Sequence, residues 1–273
     1  MKVSRGMKER MDVAVLFDLE DTLVQTPWSN HQHMLEFRRS TRQKLIDLKI
    51  PKVILEGIES YAIMRNAASE YVEKHFTKAE DERFQQEMEK FLDYYERDSA
   101  KKSKLFPETI PCLEALRRLG AKIGLITNTS RKVVNTVFEI HDIKNCFEVI
   151  ITREDVKRLK PYPDGILSAV SKLSIKRFFV VGDLALDVMA AKKAGGLAIL
   201  VRRDYEQAGS QGSLKNLKTD VPKKAQTEIA EKEHLQADYV IQSLLEVPAI
   251  VQAEEAKIAR GKEDSSRRVP LCR

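Results

Sequence analysis

Six short apolar runs, most of them separated by segments of helical periodicity, restrict this chain more than any other feature. The first, VAVLF (13–17), has no polar alternation, as expected of a strand covered on both faces. Five more follow: KIGLIT (122–127), EVIIT (148–152), FFVVGD (178–183), LAILV (197–201) and ADYVI (237–241). Helical patterns over 111–119, 131–139, 164–173 and 187–194 fill most of the gaps, and a closing helix is expected over 243–253. Strands alternating with helices predict an α/β fold with a mainly parallel sheet. Such sheets place their chemistry at the carboxyl ends of the strands.

Between Leu23 and Lys104 the pattern changes. No strand-like run occurs, and apolar residues recur at steps of three and four along Met34–Leu48, Ile54–Val72 and Phe84–Tyr95. Three or four amphipathic helices are too many for a loop, so the chain is expected to divide into a discontinuous core (1–26 and 105–255) and an inserted all-helical cap (27–104). The insertion leaves the core just after the first strand, which makes it a candidate lid. Residues 205–233 read as a long polar surface loop. Residues 256–273 read as a basic, disordered tail.

The formal charge of +6 reflects 47 Lys and Arg against 41 Asp and Glu, but residues 1–11 carry +3 and residues 257–273 carry +4. The body of the chain is nearly neutral, so its composition gives no reason to expect nucleic acid binding. Three scattered cysteines without a C-x-x-C pair argue against a disulfide framework or a zinc site and fit a reducing cytoplasm. No apolar run approaches the roughly 20 residues of a membrane span. A soluble, cytoplasmic protein without a membrane partner is the expectation.

Polar residues concentrate where the predicted strands end. FDLEDTL (17–23) sets Asp18, Glu20 and Asp21 within four residues; Thr127 and Asn128 end the second run; RLKPYPDG places Lys160 before a helix; GDLALD sets Asp183 and Asp187 four apart. These four motifs, in this order and context, resemble those of the haloacid dehalogenase superfamily, over about residues 12–252. The resemblance implies a Rossmann-like, doubly wound sheet with Asp18 as nucleophile and Thr22 closing the first motif. It also implies Thr127 and Asn128 as phosphoryl-binding groups and Lys160 as the motif cation, with Lys157 a nearby competitor. Mg²⁺ would be held by Asp18, Glu20, Asp183 and Asp187, the last directly or through water.

The implied reaction is hydrolysis of a small phosphorylated metabolite through an aspartyl-phosphate. An attacking carboxylate and a phosphate dianion repel one another, so such a site needs cations. The chain departs from the family pattern twice. Glu20 stands where an Asp usually acts as the acid and base, as it also does in the enolase-phosphatase branch, and Asp21 replaces a Gly. Asp tolerates left-handed backbone better than most residues, which makes Asp21 a structural substitute. Arg65 interrupts the apolar stripe of the second lid helix and either reaches solvent or contacts the substrate. His31, His33 and His75 carry no assignment. Two other readings stand beside the phosphatase: a metal-independent 2-haloacid dehalogenase using the same nucleophile, and a catalytically weak phosphometabolite-binding scaffold.

Overall fold

The structure, a computed structural model, describes residues 11–27, 31–203 and 237–267. The loop expected over 205–233 and the last six residues of the expected tail lie outside them.

The six apolar runs form one sheet. Its strands are β1 (Val13–Phe17), β4 (Lys122–Ile126), β5 (Val149–Ile151), β6 (Arg177–Gly182), β7 (Leu197–Val201) and β8 (Tyr239–Ile241), in the order β5-β4-β1-β6-β7-β8. Every pairing is parallel. Because side chains alternate across a strand, the uninterrupted run of β1 feeds two cores. Val13, Val15 and Phe17 join the core beneath α4 (Thr109–Leu119), α5 (Arg131–His141) and α8 (Val247–Arg267). Ala14 and Leu16 join the core beneath α6 (Asp164–Leu173) and α7 (Ala185–Ala194). The chain is thus a doubly wound α/β protein, and β1, paired with β4 and β6, has its carboxyl end in the middle of the sheet edge.

Two two-residue strands that carry no sequence period, β2 (Val24–Gln25) and β3 (Lys104–Leu105), pair antiparallel. They bracket a helical insertion of α1 (His31–Asp47), α2 (Tyr61–His75) and α3 (Lys78–Lys102). The insertion has its own apolar core, built from Leu45, Leu55, Met64, Val72, Phe84 and Met88 among others. The stripe over 54–72 is not one helix. A short 3-10 turn over Lys52–Leu55 is followed by Gly57, whose φ of +71° breaks the helical path before α2 starts at Tyr61. Thr77 opens α3, its hydroxyl accepting from the Glu80 N–H while the Glu80 carboxylate accepts from the Thr77 N–H at 2.9 Å.

The closing helix corrects the expectation of disorder from residue 256, since α8 continues to Arg267. Val247 and Val251 bury its first turns, and Glu254 and Glu255 tie its middle to Tyr239 and to Arg177, the latter at 2.6 Å. Pro248 falls in the first turn, where the missing N–H costs nothing.

Candidate active site

The sheet brings the four motifs together. The Asp18 N–H donates to Val181 O at 2.9 Å, so the β1–β6 ladder runs one residue beyond the strand and fixes the Asp18 backbone. The chain then turns back, with the Leu23 and Val24 N–H groups donating to Leu19 O at 2.9 and 3.1 Å. Asp21 takes the left-handed position of this turn, φ 56°, and its Oδ1 accepts from the N–H and hydroxyl of Thr26 at 3.0 and 3.3 Å. Arg203 secures the same turn, donating to Asp21 O and Thr22 O at 2.8 Å each and to Glu108 at 2.8 Å. Asp21 is therefore occupied in holding the loop, as its residue type suggested.

Lys160 stands at the centre. Its Nζ is 2.6 Å from Asp18 Oδ1, 2.6 Å from Asp187 Oδ1 and 3.1 Å from Ile126 O. Burial works against the ammonium, but the two carboxylates outweigh it and hold the Lys160 pKa above its ordinary value. Lys157, the competitor, lies on the surface and pairs with Glu73. Thr22 donates to Asp183 Oδ1 at 3.2 Å, and the Leu184 N–H donates to Asp187 Oδ2 at 3.1 Å. Gly182 makes this packing possible, because a Cβ there would lie 2.3 Å from the Asp187 carboxyl group.

Oxygens of Asp18, Asp183 and Asp187 lie within 4.8 Å of one another, and the Glu20 carboxylate is not one of this set. Burial raises the Asp18 pKa to about 6, with Asp187 adding to the rise and Lys160 opposing it. Burial, then Asp187 and Asp18, push Asp183 well above the usual carboxylate range. Three carboxylates against one ammonium leave a formal charge of −2 in a largely buried space. A hard divalent cation fits that donor set and that charge.

Glu20 sits apart from this set. Among the described residues its carboxyl group makes no hydrogen bond or ion pair. Burial, followed by the carboxylates of Glu96, Asp18 and Asp21, raises its pKa well above the ordinary value, against the pull of Arg153. A carboxyl group whose pKa is raised in this way, outside the three-carboxylate set, is suited to act as a general acid.

Thr127 is buried at the end of β4, where its hydroxyl accepts from the Thr129 N–H at 3.2 Å. Asn128 faces the Lys160 backbone, accepting from its N–H at 3.0 Å and donating to its carbonyl at 3.4 Å. Arg65 is not brought to the carboxylates. Its guanidinium bonds to Ser69 and, at 2.5 Å, to Gln85, and lies over the Phe84 ring inside the insertion.

Sequence reasoning missed one group beside Glu20. Arg153, after β5, is buried and bonds to Glu96 of α3 at 2.5 and 3.3 Å and to Glu89 at 3.2 and 3.3 Å. Ser130, which opens α5, donates to the same Glu96 at 3.0 Å. No period or motif marks these residues; only the fold brings α3 over the end of β5.

A doubly wound sheet with its carboxylates and lysine gathered at the carboxyl edge of the central strands, beneath a helical insertion, defines a class of hydrolase with a Rossmann-like core and an aspartate-rich site. The haloacid dehalogenase-like hydrolase family matches residues 15–201, more than half of the chain, and the protein belongs to it. Phosphoglycolate phosphatases of Escherichia coli K12 and Salmonella typhi are each 36% identical over 107 residues. That stretch is 38% of this chain, and the chain spans about two fifths (42%) of the length of those relatives. Two solved structures share the fold: a predicted phosphoglycolate phosphatase from Haemophilus somnus and a 2-haloacid dehalogenase from Pseudomonas syringae. The first has TM-score 0.51 and 20% identity, covering 87% of this chain and 97% of its own. The second has TM-score 0.52 and 20% identity, covering 89% and 99%.

Proposed function

We propose that the protein is a Mg²⁺-dependent phosphatase that hydrolyses a small phosphorylated metabolite. The observation that carries this reading is the buried Asp18–Asp183–Asp187 set, whose charge of −2 remains after Lys160 is counted. A metal-independent dehalogenase would have no use for that excess charge, nor for a second carboxyl group two residues beyond the nucleophile. The phosphoglycolate phosphatase relatives support the same class of substrate.

Asp18, Asp183 and Asp187 would hold the ion. When bound, it would neutralise the carboxylates and draw charge from a phosphoryl oxygen as a Lewis acid. Asp18 attacks phosphorus through a carboxylate oxygen, and the bond from phosphorus to the ester oxygen breaks. Glu20 gives its proton to the departing alkoxide, which leaves as the alcohol. Lys160 holds Asp18 in place and offsets charge on the phosphoryl group, and the Thr127 hydroxyl would bind a phosphoryl oxygen. Glu20, now ionised, takes a proton from water, and the hydroxide attacks phosphorus. The acyl-phosphate bond breaks, phosphate leaves and Asp18 is restored. The helical insertion acts as a cap that keeps bulk water from the aspartyl-phosphate.

The test is release of inorganic phosphate from an aryl phosphate and from a panel of small phosphorylated acids and sugars, with Mg²⁺ and with chelator. Metal-dependent release supports the reading. Metal-independent halide release from a 2-haloacid, with no phosphate release, overturns it.

A further inference from the structure

Two asparagine side chains grip the backbones of two consecutive residues, Leu159 and the catalytic Lys160. From the core, Asn128 bonds to both the N–H and the carbonyl of Lys160. From the insertion, Asn66 of α2 does the same to Leu159, accepting from its N–H at 2.8 Å and donating to its carbonyl at 3.0 Å. Both Asn66 bonds are buried, so neither Leu159 group has water as an alternative partner. The Leu159 side chain packs with Ala62 of α2 and with Leu186, the neighbour of Asp187. A single helix of the insertion therefore sits on the loop that carries Lys160 and beside the residue next to Asp187, and Lys160 bonds to Asp187 directly.

We infer that Asn66 is a positioning residue for Lys160: seating of α2 on Leu159 sets the place of the catalytic ammonium, so the cap carries part of the catalytic geometry as well as a roof. This rests on the phosphatase reading above. The lysine backbone has no regular secondary structure to fix it, since residue 160 lies between the turn at Arg153–Asp155 and α6. Its hydrogen bonds to Asn128 anchor one side only. With the insertion lifted, the Leu159 peptide loses both its partners, and the ammonium loses the constraint from that side. Misplacement of a charged group by about 1 Å costs up to about 10²-fold in rate.

The test compares Asn66→Ala and Asn66→Asp with Glu73→Gln in the full-length chain. Asn66→Asp keeps the volume and can still accept from the Leu159 N–H, so it covers the case in which the alanine variant does not fold. Glu73 is on the same helix and pairs with Lys157 in the same loop, but on the surface. The readouts are kcat/KM for an aryl phosphate and competitive inhibition by inorganic phosphate, which has no leaving group for the cap to recognise. The expected result is a fall in kcat/KM of about tenfold or more in both Asn66 variants, with weaker inhibition by phosphate, and a change under about twofold in Glu73→Gln. Wild-type activity in the Asn66 variants would overturn the inference. So would an equal loss in Glu73→Gln, or a loss that leaves phosphate inhibition unchanged. A wild-type protein that releases no phosphate under any condition would instead overturn the functional reading beneath it.

Discussion

Arg153 and Glu96 form a buried ion pair at 2.5 Å that joins the core to the third helix of the insertion, within electrostatic reach of Glu20. The Arg153 and Glu96 side chains are 4% and 8% exposed. Removing one partner of such a pair strands the other charge and costs about 3–5 kcal/mol. Arg153→Ala is therefore expected to lower the melting temperature by roughly 10 °C. Adding Glu96→Leu should recover much of the loss, because α3 then carries no unpaired buried charge at this position. Scanning calorimetry of the single and double variants checks this; an Arg153→Ala protein as stable as wild type would contradict it.

Glu20 has a raised pKa and no hydrogen-bond partner among the described residues, which suits an acid that must give its proton to a leaving group. Glu20→Gln is expected to slow turnover by about 10²–10⁴-fold. The loss should be larger for alkyl phosphates than for nitrophenyl phosphate, whose phenolate leaves without protonation. A loss independent of the leaving group would assign Glu20 another role.

Asp183 is ionised only against the cost of burial and of its neighbours Asp187 and Asp18. In metal-free protein, Asp183→Asn relieves that repulsion and is expected to raise the melting temperature. Mg²⁺ should stabilise the wild type by binding the folded state, and should do so much less in the variant. Activity should vanish with chelator and return with Mg²⁺, with Ca²⁺ a poor substitute because its coordination is looser. A thermal-shift titration with each ion, read beside phosphate release, decides both points.

Arg65 interrupts the lid stripe in the sequence, but in the structure its guanidinium is held by Ser69 and Gln85 over Phe84. Arg65→Ala is thus expected to change KM for an anionic sugar phosphate and for a small aryl phosphate by the same factor. A selective rise for the anionic substrate would show that Arg65 leaves these partners to meet it.

Most of the sheet was legible because β1, β4 and β6 are buried on both faces, and burial leaves unbroken apolar runs. The motif residues were legible because a parallel sheet gathers strand ends, which turns distant positions such as Asp18 and Asp187 into neighbours. What could not be read depended on contacts between elements. The Asn66–Leu159 and Arg153–Glu96 pairs are 93 and 57 residues apart, and neither has a local signal. The two-residue strands β2 and β3 are too short to show a period. Residues 256–267 read as a charged tail, yet Ala, Glu, Lys and Arg are good helix formers. Once Val247 and Val251 anchor the first turns, the helix continues at little cost.

Covalent catalysis requires that Asp18 become phosphorylated during turnover, and that acyl-phosphate bond can be trapped chemically. Enzyme mixed with substrate and Mg²⁺, quenched in acid within one turnover and treated with borohydride, should yield a peptide with residue 18 reduced to homoserine. Borohydride reduces acyl phosphates and leaves free carboxylates intact, so only a phosphorylated Asp is converted. Homoserine is expected at position 18 in wild type and none in Asp18→Asn or without substrate. Rapid phosphate release with Asp18 unmodified, or a phosphoryl group trapped on another residue, would contradict it.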